Sequence, residues 1–176
     1  MSAVPLSGQS QLWLGLDVGT RRIGVALSNA LGIAQPLLTI ERTQPRRDQR
    51  SILRLARRHG CAGIVVGNPL HLSGDSSRQT ERVHRFVNEL NALIAGSSAQ
   101  AADDASDGVH AGLVVHLWDE RLSTAEAHAA LEATGHNPAD RATRRSGIVD
   151  QAAAALILQG WLDAQSGTTT LLPPDV

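Results

Sequence analysis

Four acidic positions and several arginines are the residues of this chain whose type and spacing could do chemistry. Asp17 lies in LWLGLDVGTRRIGVALS, Asp119 and Glu120 end the run LVVHLWDE, and Asp150 opens GIVDQAAAALILQ. Carboxylates gathered from such separate places suit hydrolysis of a phosphodiester. Two Mg²⁺ ions roughly 4 Å apart can activate a water and stabilise the leaving oxygen, and only several hard oxygen ligands hold them. Arg21 and Arg22 follow Asp17, Arg121 follows Glu120, and Arg144 and Arg145 precede Asp150, so guanidinium groups flank every acid. Each feature alone also has an ordinary structural explanation. Asp17 can accept a turn backbone N–H, Arg121 can pair with Asp119 or Glu126, and an Asp in a helix's first turn gains ~0.5 kcal/mol from the macrodipole.

The elements that must position these residues can be read from periodicity. Leu12, Leu14, Leu16 and Val18 alternate with Trp13, Gly15 and Asp17, a strand pattern. Gly19 and Thr20 break it, and Ile23, Val25 and Leu27 restart it, which predicts a hairpin with Arg21 and Arg22 near the turn. Residues 34–40 form a third strand with Pro36 near its start. Residues 44–48 read as a polar link, and 48–59 as a helix with Ile52, Leu55, Ala56 and His59 inward and a basic stripe from Arg47 to Arg58 outward. AGIVVG at 62–67 is a buried parallel strand stopped by Asn68-Pro69. A long helix capped within Asp75–Ser77 follows, with Val83, Val87, Leu90 and Ile94 inward. Residues 96–112 are small and acidic and read as a flexible loop. In the strand from Leu113, alternation separates Asp119 from Glu120, so only one of them can share the site-facing side. Ser123 and Glu126 make a capping box for a short helix ending at Gly135, and residues 135–145 form a polar loop. A last helix covers 146–163 with Ile148, Val149, Ala152, Leu156 and Trp161 packing, and residues 166–176 are a disordered tail.

These elements sum to one α/β domain over residues 1–165. Its three antiparallel strands are followed by parallel ones, a topology that predicts convergence of the acids at the strand ends, which spacing alone does not show. Composition narrows the function classes. Cys61 is the only cysteine, which excludes an internal disulfide and a cysteine-based zinc site, and the seven histidines form no H-x-x-x-H pair. No apolar run approaches the ~20 residues that span a bilayer, and the N-terminus lacks signal-peptide regions, so a cytoplasmic location is expected. The net charge of −1 hides an asymmetry: residues 1–95 carry twelve Arg against six acids, and residues 96–176 carry four Arg against eleven. With one Phe, no Tyr and three Trp on apolar elements, base stacking is poorly supplied, so grip on a nucleic acid would rest on Arg.

LGLDVGTRRIGVALS, GIVVGNPLHLSG, WDERLSTAEA and GIVDQAAAALILQ, in this order and at these separations, resemble the YqgF family, regarded as Holliday junction resolvases and as pre-16S rRNA nucleases. The resemblance runs from about Leu12 to Leu162. It implies an RNase H-like fold, here a mixed five-stranded sheet flanked by helices. It further implies a divalent cofactor, Mg²⁺ or Mn²⁺, and trimming of the 5′ end of pre-16S rRNA during ribosome biogenesis. By the same resemblance Asp17, Glu120 and Asp150 are catalytic residues and metal ligands, with Asp119 competing for the second place. Arg22, Asn68, Arg121, Arg144 and Arg145 are candidate substrate-binding residues. The implied partners are pre-16S rRNA or branched DNA and a ribosomal precursor particle, with no membrane; a monomer is the default. His71, where the family's loop carries other polar groups, is a departure. Two other classes stand beside the nuclease. One is a non-catalytic assembly factor that binds nucleic acid. The other is an actin-like ATPase or sugar kinase, suggested by the DVGTRRIG hairpin but disfavoured because such proteins clamp nucleotide between two domains.

Overall fold

The computed structural model describes residues 11–69, 74–100, 112–120 and 147–167, with side chains for 11–69, 78–96, 112–119 and 147–166. Strands β1 (Leu12–Val18), β2 (Arg22–Ser28) and β3 (Ala34–Glu41) lead into helix α1 (Pro45–Arg58). Strand β4 (Cys61–Pro69), helix α2 (Gly74–Gln100), strand β5 (Val114–Glu120) and helix α3 (Ile148–Gly167) complete the described elements. The sheet order is β3-β2-β1-β4-β5, with β1–β2 and β2–β3 antiparallel and β1–β4 and β4–β5 parallel. This is the mixed sheet read from the sequence. Among the described residues no helix is long and apolar enough to cross a membrane.

Alternation along β1 splits the core in two. Leu14, Leu16 and Val18 join Ile23, Val25, Ile64 and Val66 on one face, packed beneath Ile52, Leu53 and Ala56 of α1 and Val83, Phe86, Val87 and Leu90 of α2. On the other face Ala26 and Val65 meet Ala154, Ile157, Leu158 and Trp161 of α3. Because β1 is central and covered on both sides, the end of this strand is fixed from above and below. Trp13 lies 4.3 Å centroid to centroid from Trp161, in keeping with its reading as a core residue.

Several element bounds differ from expectation. Helix α1 begins at Pro45, not at 48: proline's fixed φ and missing N–H suit the first helical position, so the polar link is the first turn. Asp48 is thereby buried. Its carboxylate accepts the Thr43 N–H and hydroxyl, each at 3.3 Å, and lies 3.9 Å from the Arg42 guanidinium. His59 caps α1, Leu53 is buried, and Leu55, expected inward, packs against the same core while half-buried. Strand β4 continues through Asn68 and Pro69, which pair with Asp119 and Glu120. A proline at the last residue of a strand costs little, because the Pro69 carbonyl still accepts a bond, here from the Thr80 hydroxyl at 2.8 Å. Helix α2 runs through Gly96 to Gln100, so the first five residues of the expected loop are helical.

Helix α3 buries Ala154, Ile157, Leu158 and Trp161, whereas Ala152 and Leu156 are only half-buried. The run AAAALIL is apolar around the whole helix, so periodicity could not select the inward face. The sheet selects it through glycine. A Cβ on Gly15 would lie 2.6 Å from Leu158 Cβ and 2.7 Å from the Ala154 carbonyl, so α3 rests on bare backbone there. The expected helix at 123–135, the polar loop at 135–145 and the tail beyond residue 167 lie outside the described residues.

Candidate active site

The β1–β2 hairpin turns tightly, the Gly19 N–H donating to the Arg22 carbonyl at 2.9 Å. Its register sets Asp17 opposite Gly24. Cross-strand partners point to the same face, and Gly15, two residues before Asp17, is the glycine on which α3 rests. Asp17 therefore projects on the α3 side. Gly24 is covered directly by the start of α3: a Cβ there would lie 1.8 Å from the Asp150 carbonyl oxygen. The acid of the final helix is held over the strand neighbour of the first acid by close backbone packing.

Three further contacts fix how α3 begins. Gly147 has φ +75°, a left-handed conformation that suits glycine, and accepts a bond from the Gln151 N–H at 3.1 Å. Its carbonyl also accepts the Thr39 hydroxyl at 2.8 Å, and the Gln151 side-chain amide donates to the same hydroxyl at 3.1 Å. Thr39, Gly147 and Gln151 thus pin α3 to β3 three residues before Asp150 and one residue after it. The sequence reading had none of these positioning residues. Glycine three residues before an acid at a helix start was the one available signal.

Arg22 reaches the Asp150 carboxylate, Nη1 to Oδ2, at 3.7 Å. Two effects compete at Asp150. Burial raises its pKa above the usual 3.8, Arg22 lowers it through charge and a side-chain hydrogen bond, and burial wins. The outcome is reasonable because Arg22 is itself partly exposed and stands at the long end of ion-pair distances. Burial at Asp150 thus outweighs the described guanidinium beside it.

At the other side of β1, the β4–β5 register resolves the two neighbouring acids by face. Val115 packs with the α1/α2 core and Trp118 with the α3 core. Position 119 therefore falls on the α1/α2 face and position 120 on the α3 face with Asp17. Asp119 is exposed and accepts the Asn68 amide N–H at 3.2 Å, and Asn68 is buried, its Oδ1 without a hydrogen-bond partner among the described residues. Asn68 thus lies on the opposite face from Asp17. The Glu120 side chain, Arg121, Arg144 and Arg145 lie outside the described residues. Among the described side chains no three of His, Cys, Asp or Glu stand close enough to hold a metal ion. The pair brought together is Asp17 and Asp150, with the backbone of residue 120 on their face.

A family model described as "RuvX: Holliday junction resolvase" matches residues 11–164. A Myxococcus xanthus protein named "Putative pre-16S rRNA nuclease" is 38% identical over 164 residues, covering 92% of this chain and 94% of its own. Proteins of the same name from Syntrophus aciditrophicus and Moorella thermoacetica are each 41% identical, covering 87% and 85% of this chain and 89% and 93% of theirs. Among solved structures, T. thermophilus RuvC in complex with Holliday junction substrate aligns with TM-score 0.50 at 16% identity, over 90% of this chain and 97% of that one. This likeness shows a shared RNase H-like α/β fold.

Proposed function

Because the chain belongs to the RuvX family, whose members are nucleases, we propose that it is a metal-dependent nuclease that trims the 5′ end of pre-16S rRNA. Asp17, Glu120 and Asp150 are its metal ligands and catalytic residues, and the metal is Mg²⁺ or Mn²⁺. What supports this reading is that three acidic positions from β1, β5 and α3 share one face of the sheet. The donors are hard carboxylate oxygens, and burial makes the charge on Asp150 costly despite Arg22, so the residues suit a divalent cation. When bound, such ions activate water and stabilise the leaving oxygen at the phosphodiester.

The chain's own residues do the rest. Gly24 lets α3 approach closely enough to bring Asp150 beside Asp17. Thr39 and Gln151 hold the helix start in place. Arg22 orients the Asp150 carboxylate and presents a guanidinium to substrate phosphate, with Arg121, Arg144 and Arg145 as further phosphate contacts. RNA is the preferred substrate because the relatives sharing 38% and 41% of residues over most of their lengths carry the rRNA nuclease name. Branched DNA is the second reading, favoured by the family description.

The test is cleavage of an end-labelled pre-16S 5′ leader and a four-way DNA junction by wild type and Asp17→Asn, with Mg²⁺ or Mn²⁺. Cutting of the RNA by wild type alone is expected. Cutting of the junction alone supports the second reading. Binding of both with cutting of neither would replace the nuclease with an assembly factor.

A further inference from the structure

On the sheet face away from the acids, the first turn of α1, the middle of α2 and the β1–β2 turn enclose a cleft of about 410 Å³. Thr20, Arg42, Thr43, Arg82 and Arg85 line it, together with Asp48 and Glu89. Both acids are engaged by neighbours. Asp48 takes the two Thr43 bonds, and Glu89 accepts the Gln49 side-chain amide at 2.7 Å, a bond that ties α1 to α2. Arg42 is braced as well, its Nη1 donating to the Gly19 carbonyl at 2.9 Å. Among the described residues Arg82 and Arg85 form no ion pair with a carboxylate. Arg78, Arg82 and Arg85 follow i, i+4, i+7 spacing, so they form one stripe along α2. Exposed Arg46 and Arg47 extend the positive charge at the first turn of α1.

We propose that this cleft binds phosphodiester groups of the nucleic-acid substrate outside the scissile bond. The proposal rests on the nuclease reading and extends it. The β1–β2 turn carries the argument: Thr20 lines the cleft, while Arg22, two residues on, reaches Asp150 on the opposite face. A strand leaving the acids across this turn meets Arg82 and Arg85 next. Two arginines three residues apart on a helix face are neighbours at about 5–6 Å between Cβ atoms, and their donors are suited to phosphate oxygens. Phe86 is buried in the cleft floor and offers no stacking face, so contact is to backbone, not to bases. The occupant is therefore recognised by charge and spacing, with little sequence preference.

The experiment measures binding of a labelled RNA hairpin with a single-stranded leader, and of its DNA counterpart, in EDTA so that no cleavage intervenes. Wild type is compared with Arg82→Gln/Arg85→Gln and with Arg54→Gln/Arg58→Gln, which removes equal charge from α1 away from the cleft. Circular dichroism and thermal melting verify the folding of each variant. Losing two phosphate contacts should lower the slope of log affinity against log salt by roughly 1.5 and weaken binding roughly tenfold for the cleft pair. The distal pair should change the slope by less than half as much. Equal effects of the two pairs, or no effect of the cleft pair, would overturn the proposal, as would wild type that binds neither probe. Cleavage by wild type in Mg²⁺ is scored separately. A cleft pair that loses binding beside a wild type that cuts nothing upholds the cleft and removes the nuclease reading. A cutting wild type with unaltered binding by the cleft pair does the reverse.

Discussion

Gly24 is where a single missing side chain decides the geometry of the acids. A methyl group there would meet the Asp150 carbonyl at 1.8 Å, and backbone cannot yield as a flexible side chain can. Gly24→Ala is expected to destabilise the fold by about 2 kcal/mol or more, read from urea denaturation. It should also cut activity beyond what an equally destabilising core substitution does. Asp150 itself carries a pH signature. Its folded pKa is raised by burial, so its contribution to stability is fully present below the ordinary value of 3.8 and lost as pH rises through the folded value. In ion-free buffer, the stability of wild type relative to Asp150→Asn should fall with rising pH across that window. A difference that is flat or rises with pH would contradict the raised pKa. Cys61 is pushed up to about 11 from 9.0 by burial. At pH 8 its alkylation should run roughly 100-fold slower than that of a free thiol, because the thiolate is the reactive form.

Between elements, the joint that matters is β3 to the start of α3. The Thr39 hydroxyl donates to the Gly147 carbonyl and accepts from Gln151, so one side chain satisfies both partners. Thr39→Val keeps the shape but removes both bonds, leaving the Gln151 amide without this acceptor and the Gly147 carbonyl with only the Gln151 N–H, which should cost about 1–3 kcal/mol and loosen the placement of Asp150. The expected kinetic signature is a lower kcat with KM little changed, because substrate grip rests on arginines elsewhere. At the opposite end of the sheet, Asn68 and Asp119 bond to each other at the ends of β4 and β5 on the α1/α2 face. That placement separates Asn68 from the acids, although it stands next to them in the sheet.

Over the whole molecule, what was legible in the sequence followed from period. Alternation in Leu12–Val18 and Ile23–Leu27 fixed the hairpin, and short β-branched runs fixed the parallel strands, because a sheet face buries every second residue. The start of α1 was misplaced because Pro45 reads equally as a linker and as a first helical residue. The inward side of α3 was read rightly at Trp161 but not at Ala152 and Leu156, because AAAALIL offers no polar face to exclude. The choice between Asp119 and Glu120 could be posed by parity but not answered, since parity does not say which face carries α3. The packing of Trp118 against that helix puts position 120, and not 119, on the α3 face. If the α3 face holds a divalent ion, Mg²⁺ should raise the melting temperature of wild type at neutral pH, EDTA should reverse the rise, and Asp17→Asn should abolish it. The most direct measurement is single-turnover cleavage of the pre-16S leader by Glu120→Gln and Asp119→Asn side by side. The expected result is a loss on the order of 100-fold or more for Glu120→Gln, with Asp119→Asn within about threefold of wild type. The reverse pattern would place the chemistry on the other face of the sheet and contradict the site described for Asp17 and Asp150.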